Sequence, residues 1–145
     1  FPARHRRAGR VAFAAGTGVV ISALLMTLLY SQKAGTGDLL YVMRLFFASL
    51  MGMSLVWALT SIRRGDVATH RAWMIRAYAI GIAAGTQAFT GGISDAIFGT
   101  GNLQDDLAKG AGWVINLAIA EWIIRRQPRR RAVPRPAVSA PLEVA

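Results

Sequence analysis

The chain contains two histidines, and each one is followed directly by an arginine. His5 stands in the motif HRRAGR and His70 in HRAWMIR, each beside a long apolar segment. A b-type haem can take two imidazoles from different helices as its axial ligands, and that ligation needs no cysteine. His5 and His70 are therefore candidate haem ligands. The alternative is that both histidines only form hydrogen bonds at the membrane interface, which explains their positions equally well. The sequence leaves haem ligation and an interfacial role open.

Charged residues inside the apolar segments form two candidate ion pairs. A helical rise of about 1.5 Å per residue places Arg76 and Glu121 at one depth, and Arg44 and Asp95 nearer the opposite end. A charge in lipid is costly unless it finds a partner, so such pairs either fix helix register or form part of a proton or ligand path. The predicted intramembrane polar network comprises Arg44, Arg71, Arg76, Gln87, Asp95, Asn116 and Glu121.

Several common types of catalytic chemistry are excluded by the residue content. The chain has no cysteine, so it lacks disulfides, thiolate metal sites and cysteine nucleophiles. It also lacks the serine-hydrolase elbow, the phosphate-binding loop of nucleotide hydrolases and the HExxH zinc motif. The adjacent acids Asp105 and Asp106 fall in a predicted exposed loop, where we expect solvated charge. No catalytic residue and no metal site are predicted.

Long apolar stretches must position these polar residues. The 145 residues are 54% hydrophobic and 17% charged. Four stretches are close to the roughly 20 residues that cross a bilayer, namely residues 11–30, 39–62, 72–98 and 107–124. A soluble bundle of buried helices is disfavoured because no charged face recurs at helical spacing. The sequence therefore predicts an all-α integral membrane four-helix bundle with short loops over residues 1–126, surrounded by the lipid bilayer.

Basic residues predict how this bundle is oriented. The net charge of +10 comes from clusters between the apolar stretches, a pattern unlike a spread nucleic-acid-binding surface. The clusters are Arg4, Arg6, Arg7 and Arg10, then Arg63, Arg64, Arg71 and Arg76, then Arg125, Arg126, Arg129, Arg130, Arg131 and Arg135. All fall on one side, so the positive-inside rule predicts cytoplasmic N and C termini. We expect residues 127–145 to be a disordered, basic and proline-rich cytoplasmic tail.

Local signals refine the third predicted helix. Asp66 is expected to cap its N-terminus, because an aspartate side chain accepts hydrogen bonds from first-turn amides. Small residues recur at four-residue spacing along this helix and along the first one, a pattern that permits close helix packing in lipid. The residues are Ala77, Gly81 and Gly85, then Ala84, Ala88 and Gly92, then Ala14, Gly18 and Ser22. We expect the third helix at the bundle centre; a homodimer face is the alternative.

The combined motifs resemble a known family. HRRAGRV from His5, the helix-two Arg44, HRAWMIRAYAIGIAAGTQ from His70 and GAGWVINLAIAEWIIRR ending at Arg126 look like the bacterial predicted membrane proteins of domain of unknown function 2306, in an actinobacterial form. The resemblance implies a multi-helix protein of the bacterial cytoplasmic (inner) membrane. Members carry further apolar segments upstream of HRxxGR, so a shortened copy is expected. The shared motif positions are His5, Arg10, Arg44, His70, Arg71, Trp73, Met74, Arg76, Tyr78, Asn116, Glu121 and Trp122.

Three functions follow from these features. The first is a structural or accessory subunit of a membrane complex, which uses its polar residues for packing. The second is an electron carrier in which His5 and His70 ligate haem b. The third is a small proton-coupled transporter in which Glu121 carries the proton, although the sequence shows no inverted repeat. We favour the first function.

Overall fold

The computed structural model describes residues 2–30, 38–99 and 101–126. These residues form the helices α1 (Pro2–Leu29), α2 (Asp38–Arg63), α3 (Val67–Gly81), α4 (Ala83–Phe98) and α5 (Asn102–Arg126). No strand occurs in this part of the chain, which confirms the all-α prediction. The predicted tail, residues 127–145, lies outside the described residues.

Three of the described helices are long and apolar enough to cross a membrane. They span Ala3–Leu29, Asp38–Arg63 and Asn102–Arg126. With 15 and 16 residues, α3 and α4 are each shorter than the roughly 20 residues that a crossing needs. Together the two helices are long enough for one crossing, provided that they are joined end to end.

The third apolar stretch is divided into two helices, whereas the sequence predicted one helix over residues 72–98. The division falls at Ile82, whose amide donates to the Tyr78 carbonyl while the chain leaves regular helix. Gly81 and Gly85 flank this position, and each glycine lowers helix propensity by about 1 kcal/mol relative to alanine. The first half also starts earlier than predicted, because Asp66 accepts a hydrogen bond from the Thr69 amide (3.0 Å) as the expected N-cap.

Close contacts give the direction of each helix relative to its neighbours. Gly52 of α2 lies against Val20 of α1, where an added Cβ would be 3.3 Å from the valine methyl. Four residues earlier in α1, Gly16 lies against Leu55, which comes three residues later in α2, so the two helices run antiparallel. α3 returns antiparallel along α2, since His70 meets Ala58 and Gly81 meets Met51. α5 contacts α2, α3 and α4. The apolar core lies where α1, α2 and α3 meet, and consists of Val20, Phe47, Met51, Leu55, Ala77 and Ile80.

The small residues that recur along the third stretch are packed against other described helices in α3 but not in α4. In the α3 half, Ala77 is buried and Gly81 lies against the Met51 side chain. In the α4 half, no atom of the described residues lies within 4 Å of a Cβ added at Gly85 or Gly92. α3 contacts α1, α2 and α5, but α4 contacts only α3 and α5 among the described helices. Of the helix that was predicted at the bundle centre, only the first half, α3, lies among the other helices.

Candidate functional site

Arg76 of α3 and Glu121 of α5 form a two-pronged ion pair. The arginine Nε donates to Oε1 at 2.5 Å and its second nitrogen donates to Oε2 at 3.1 Å. The two side chains are 24% and 35% exposed. The Trp73 ring lies 4.4 Å from the guanidinium carbon and packs against Trp57 of α2. Since an arginine fork matches a carboxylate geometrically, this contact fixes the register of α3 against α5.

Asn116 of α5 joins the two halves of the interrupted helix. Its side-chain amide nitrogen donates to the Ala79 carbonyl of α3 (3.1 Å), and its oxygen accepts from the Thr86 hydroxyl of α4 (2.9 Å). Ala79 belongs to the last turn of α3, where backbone carbonyls lack intrahelical partners. The buried asparagine therefore satisfies a carbonyl beside the helix break and holds α4 next to α3.

Further hydrogen bonds attach α4 to the backbone of α5. Gln87 donates to the Lys109 carbonyl (3.0 Å), and the Thr90 hydroxyl donates to the Ala108 carbonyl (2.6 Å). The helices approach closely at Gly112, where an added Cβ would lie 2.7 Å from the Gln87 Cγ and 3.2 Å from its backbone nitrogen. The glycine thus permits the contact that these side chains secure. The run of small residues in the pattern KGAGW is the sequence signal for this close approach.

The position of Asp106 shows that its predicted solvent exposure was wrong. It was expected as a solvated loop acid, but it lies in the second turn of α5 and is only 2% exposed. Its Oδ2 accepts a hydrogen bond from the Leu40 amide in the first turn of α2 (3.2 Å). Oδ1 has no hydrogen-bond partner among the described residues. The neighbouring Asp105 lies 3.9 Å from the Lys109 ammonium in an ordinary one-turn pair.

The predicted outer ion pair is absent. Arg44 and Asp95 are both exposed, and no salt bridge joins them within the described part of the chain. The reason is the helix break: α4 packs on α5 and makes no contact with α2, which carries Arg44. Arg71 is also exposed and forms no hydrogen bond to another described residue. Arg76, Gln87, Asn116 and Glu121 are therefore the predicted network residues that do make contacts between helices.

The two histidines occupy different surroundings. His70 is half-buried, and its Nδ1 lies 2.8 Å from the Ala58 carbonyl of α2. A carbonyl only accepts, so this nitrogen carries the proton and the ring is tied to α2. His5 is exposed in the first turns of α1. Among residues 2–30, 38–99 and 101–126 no hydrogen bond connects the histidines, and no cluster of three metal-ligating residues occurs. No described contact favours haem ligation.

A cleft of about 430 Å³ lies between α1 and α2 on one side and α4 on the other. Trp113 of α5 lines it, and Met51 and Gly81 line it beside the helix break. Arg44 contributes a charged side chain to the lining, and Gln87 contributes an amide. The space arises because α4 turns away from α2, and no pattern in the sequence indicates that turn.

One comparison with known proteins identifies a relationship. Residues 1–124 match the family model described as "Predicted membrane protein (DUF2306)". No curated protein and no solved structure shows significant similarity to the chain. The match covers every described helix except the final two residues of α5.

Proposed function

The chain belongs to the predicted membrane protein family DUF2306, and we propose that it is a structural or accessory subunit of a membrane complex. In this proposal it crosses a bacterial cytoplasmic membrane four times, as one four-helix domain over residues 1–126. Both termini are cytoplasmic. The observation that carries the structural role is that four of the seven predicted intramembrane polar residues join helices, namely Arg76, Gln87, Asn116 and Glu121.

The joined polar groups support a structural role chemically. Arg76 and Glu121 neutralise each other, and the Asn116 side chain bonds to both α3 and α4. Gln87 and Thr90 donate to backbone carbonyls of α5. Groups that are held in helix contacts are poorly suited to binding a substrate or relaying a proton, because either step would break a contact between helices. A transporter that uses Glu121 would have to release it from Arg76.

The contacts of α5 support four crossings. In α3, Arg76 meets Glu121 and Ala79 meets Asn116. In α4, Gln87 meets Gly112, which comes earlier in α5. Both halves therefore run antiparallel to α5 in one continuous register. An interrupted helix at membrane depth is tolerated where neighbouring helices satisfy the freed backbone groups. α3 and α4 together then make one crossing, with α1, α2 and α5 as the other three.

Single-cysteine labelling tests the topology. The protein has no native cysteine, so Ala68→Cys near the start of α3 and Asn102→Cys at the start of α5 report one side each. A membrane-impermeant maleimide applied to intact cells should label the cysteine at position 102. It should label the cysteine at position 68 only after permeabilisation, because the arginine-rich end is cytoplasmic. The reversed pattern would contradict the orientation.

A mass measurement in mild detergent tests the subunit role. The tagged chain should elute from native membranes in a complex of fixed stoichiometry and of mass well above its own 15.6 kDa. Glu121→Gln should reduce that assembly, whereas Asp105→Asn should leave it intact. A reduced-minus-oxidised spectrum of the same sample should be flat. A Soret band that disappears in His70→Ala would instead support the haem-binding alternative, and a lone monomer would contradict the subunit proposal.

A further inference from the structure

We propose that the cleft between α1, α2 and α4 binds one anionic phospholipid, with the phosphate at Arg44 and an acyl chain between the helices. This inference goes beyond the structural role, since it assigns a ligand to a site that the helix contacts leave open. It rests on how the cleft is formed, on the charge of Arg44 and on the change in polarity along the cleft.

The cleft is a consequence of the break at Ile82. α3 packs along α2 up to the contact between Gly81 and Met51. Beyond the break, Thr86 and Gln87 bond to α5, so α4 leaves α2. The resulting gap of about 430 Å³ is bounded by two attached helix pairs and lined by Trp113. Hydrogen bonds to α5 hold the α4 wall, and close packing of Val20 on Gly52 holds the α1 wall against α2, so the space is built into the packing.

Arg44 supplies a positive charge at this gap. It lies six residues inside α2 from Asp38, or about 9 Å along the helix axis. Within the described ranges, no carboxylate lies within 4.0 Å of it and it donates no hydrogen bond to another residue. A cation at this depth is costly without a partner. The guanidinium fork suits a phosphate group, which it can bind through two parallel hydrogen bonds.

The lining favours an amphiphile over a small anion. Tyr30 and Arg44 lie toward the end where α1 finishes and α2 begins. Deeper in the span the walls are apolar, with Val20, Met51 and Ile80. An inorganic anion would occupy only the polar end. A phospholipid fills both parts, with the head group at the interface and a hydrocarbon chain against the apolar walls.

Native mass spectrometry from nanodiscs tests the proposal. The nanodiscs contain phosphatidylglycerol and phosphatidylcholine with identical acyl chains. We expect the wild-type chain to retain one phosphatidylglycerol, and Arg44→Gln to reduce retention about tenfold through loss of the charge-assisted contact. Arg44→Lys should retain more lipid than Arg44→Gln. The matched control Arg64→Gln, in the α2–α3 turn, should retain lipid as the wild type does.

A second pair of variants tests the acyl-chain part independently of Arg44. Ala23→Phe places a ring in the cleft and should also strongly reduce retention, whereas the adjacent Ser22→Phe, outside the lining, should not. Equal retention of the two lipids would overturn the proposal, as would equal losses in Arg44→Gln and Arg64→Gln. A dimer that depends on Ala23 would assign the cleft to a second copy. Displacement of the lipid by inorganic phosphate alone would assign it to a free anion.

Discussion

The carboxylate of Asp106 on α5 caps the first turn of α2 by accepting the Leu40 amide at 3.2 Å. First-turn amides have no intrahelical acceptor, and they are usually capped by the side chain just before the helix. The residue before α2 in the sequence is Gly37, which has no side chain to offer. A buried acid 66 positions away along the chain performs the capping instead. This contact couples the start of α2 to the start of α5.

Removing the carboxylate should therefore destabilise the protein. Asp106→Ala leaves the Leu40 amide buried without an acceptor, and we expect a loss of about 1–2 kcal/mol in the free energy of unfolding. Asp106→Asn keeps an acceptor oxygen and should recover much of that loss. Denaturant titration in detergent micelles measures both. Asp105→Ala is the control, and equal effects at positions 105 and 106 would refute the capping role.

The Arg76–Glu121 pair should couple α3 to α5 energetically. Glu121→Gln leaves a half-buried arginine without its counter-charge, and we expect a cost of about 1–3 kcal/mol, below the range for fully buried pairs. Arg76→Gln should cost a similar amount. The double variant should be more stable than the sum of the two losses predicts, with a coupling energy of at least roughly 0.5 kcal/mol. Additive losses in a double-mutant cycle would show that the pair carries no coupling.

Asn116 should matter more than its size suggests. Asn116→Ala removes hydrogen bonds to both Ala79 and Thr86, and we expect a destabilisation of about 1–3 kcal/mol. Hydrogen exchange should also quicken at amides next to the break at Ile82. Thr17→Ala is the matched control, because its hydroxyl bonds only within α1. Unchanged exchange around residue 82 in Asn116→Ala would contradict the bridging role.

Gly112 should resist enlargement while Gly92 should accept it. An added Cβ at position 112 would meet Gln87, including its backbone nitrogen at 3.2 Å, whereas no atom in the described part of the chain lies within 4 Å of one at position 92. We expect Gly112→Val to separate α4 from α5 and cost about 1–3 kcal/mol. Gly92→Ala should be neutral or slightly stabilising in the helix. Similar melting temperatures for the two variants would show that α4 and α5 do not pack closely there.

The cap at Asp66 predicts a pH dependence at the α2–α3 turn. The hydrogen bond from Thr69 lowers the pKa of Asp66 below its ordinary value of 3.8. Because the folded-state pKa is the lower one, the contribution to stability is present above the unfolded value and is lost as the pH falls through the folded value. Amide protection at Thr69 should therefore be higher at about pH 6 than at about pH 2.5. In Asp66→Asn, which still caps but does not ionise, this difference should vanish.

Sequence reasoning predicted the parts of the site that depend on composition and on position along a helix. The apolar lengths predicted membrane-capable helices, and the helical rise placed Arg76 level with Glu121. The same reasoning was wrong for Arg44 and Asp95, since equal depth does not make two helices neighbours. It was also wrong for Asp106, because a pair of acids near a loop gives no sign that one of them faces another helix.

The sequence by itself determined that this is an all-helical membrane protein, because hydrocarbon thickness and the cost of unsatisfied backbone groups leave few other structures for such apolar segments. Only the tertiary structure decided that the third segment breaks at Ile82 and that α4 turns to α5. That break separates Arg44 from Asp95 and opens the cleft. The outcome depends on side-chain bonds from Asn116, Gln87 and Thr90 to other helices, and no local pattern records which helices become neighbours.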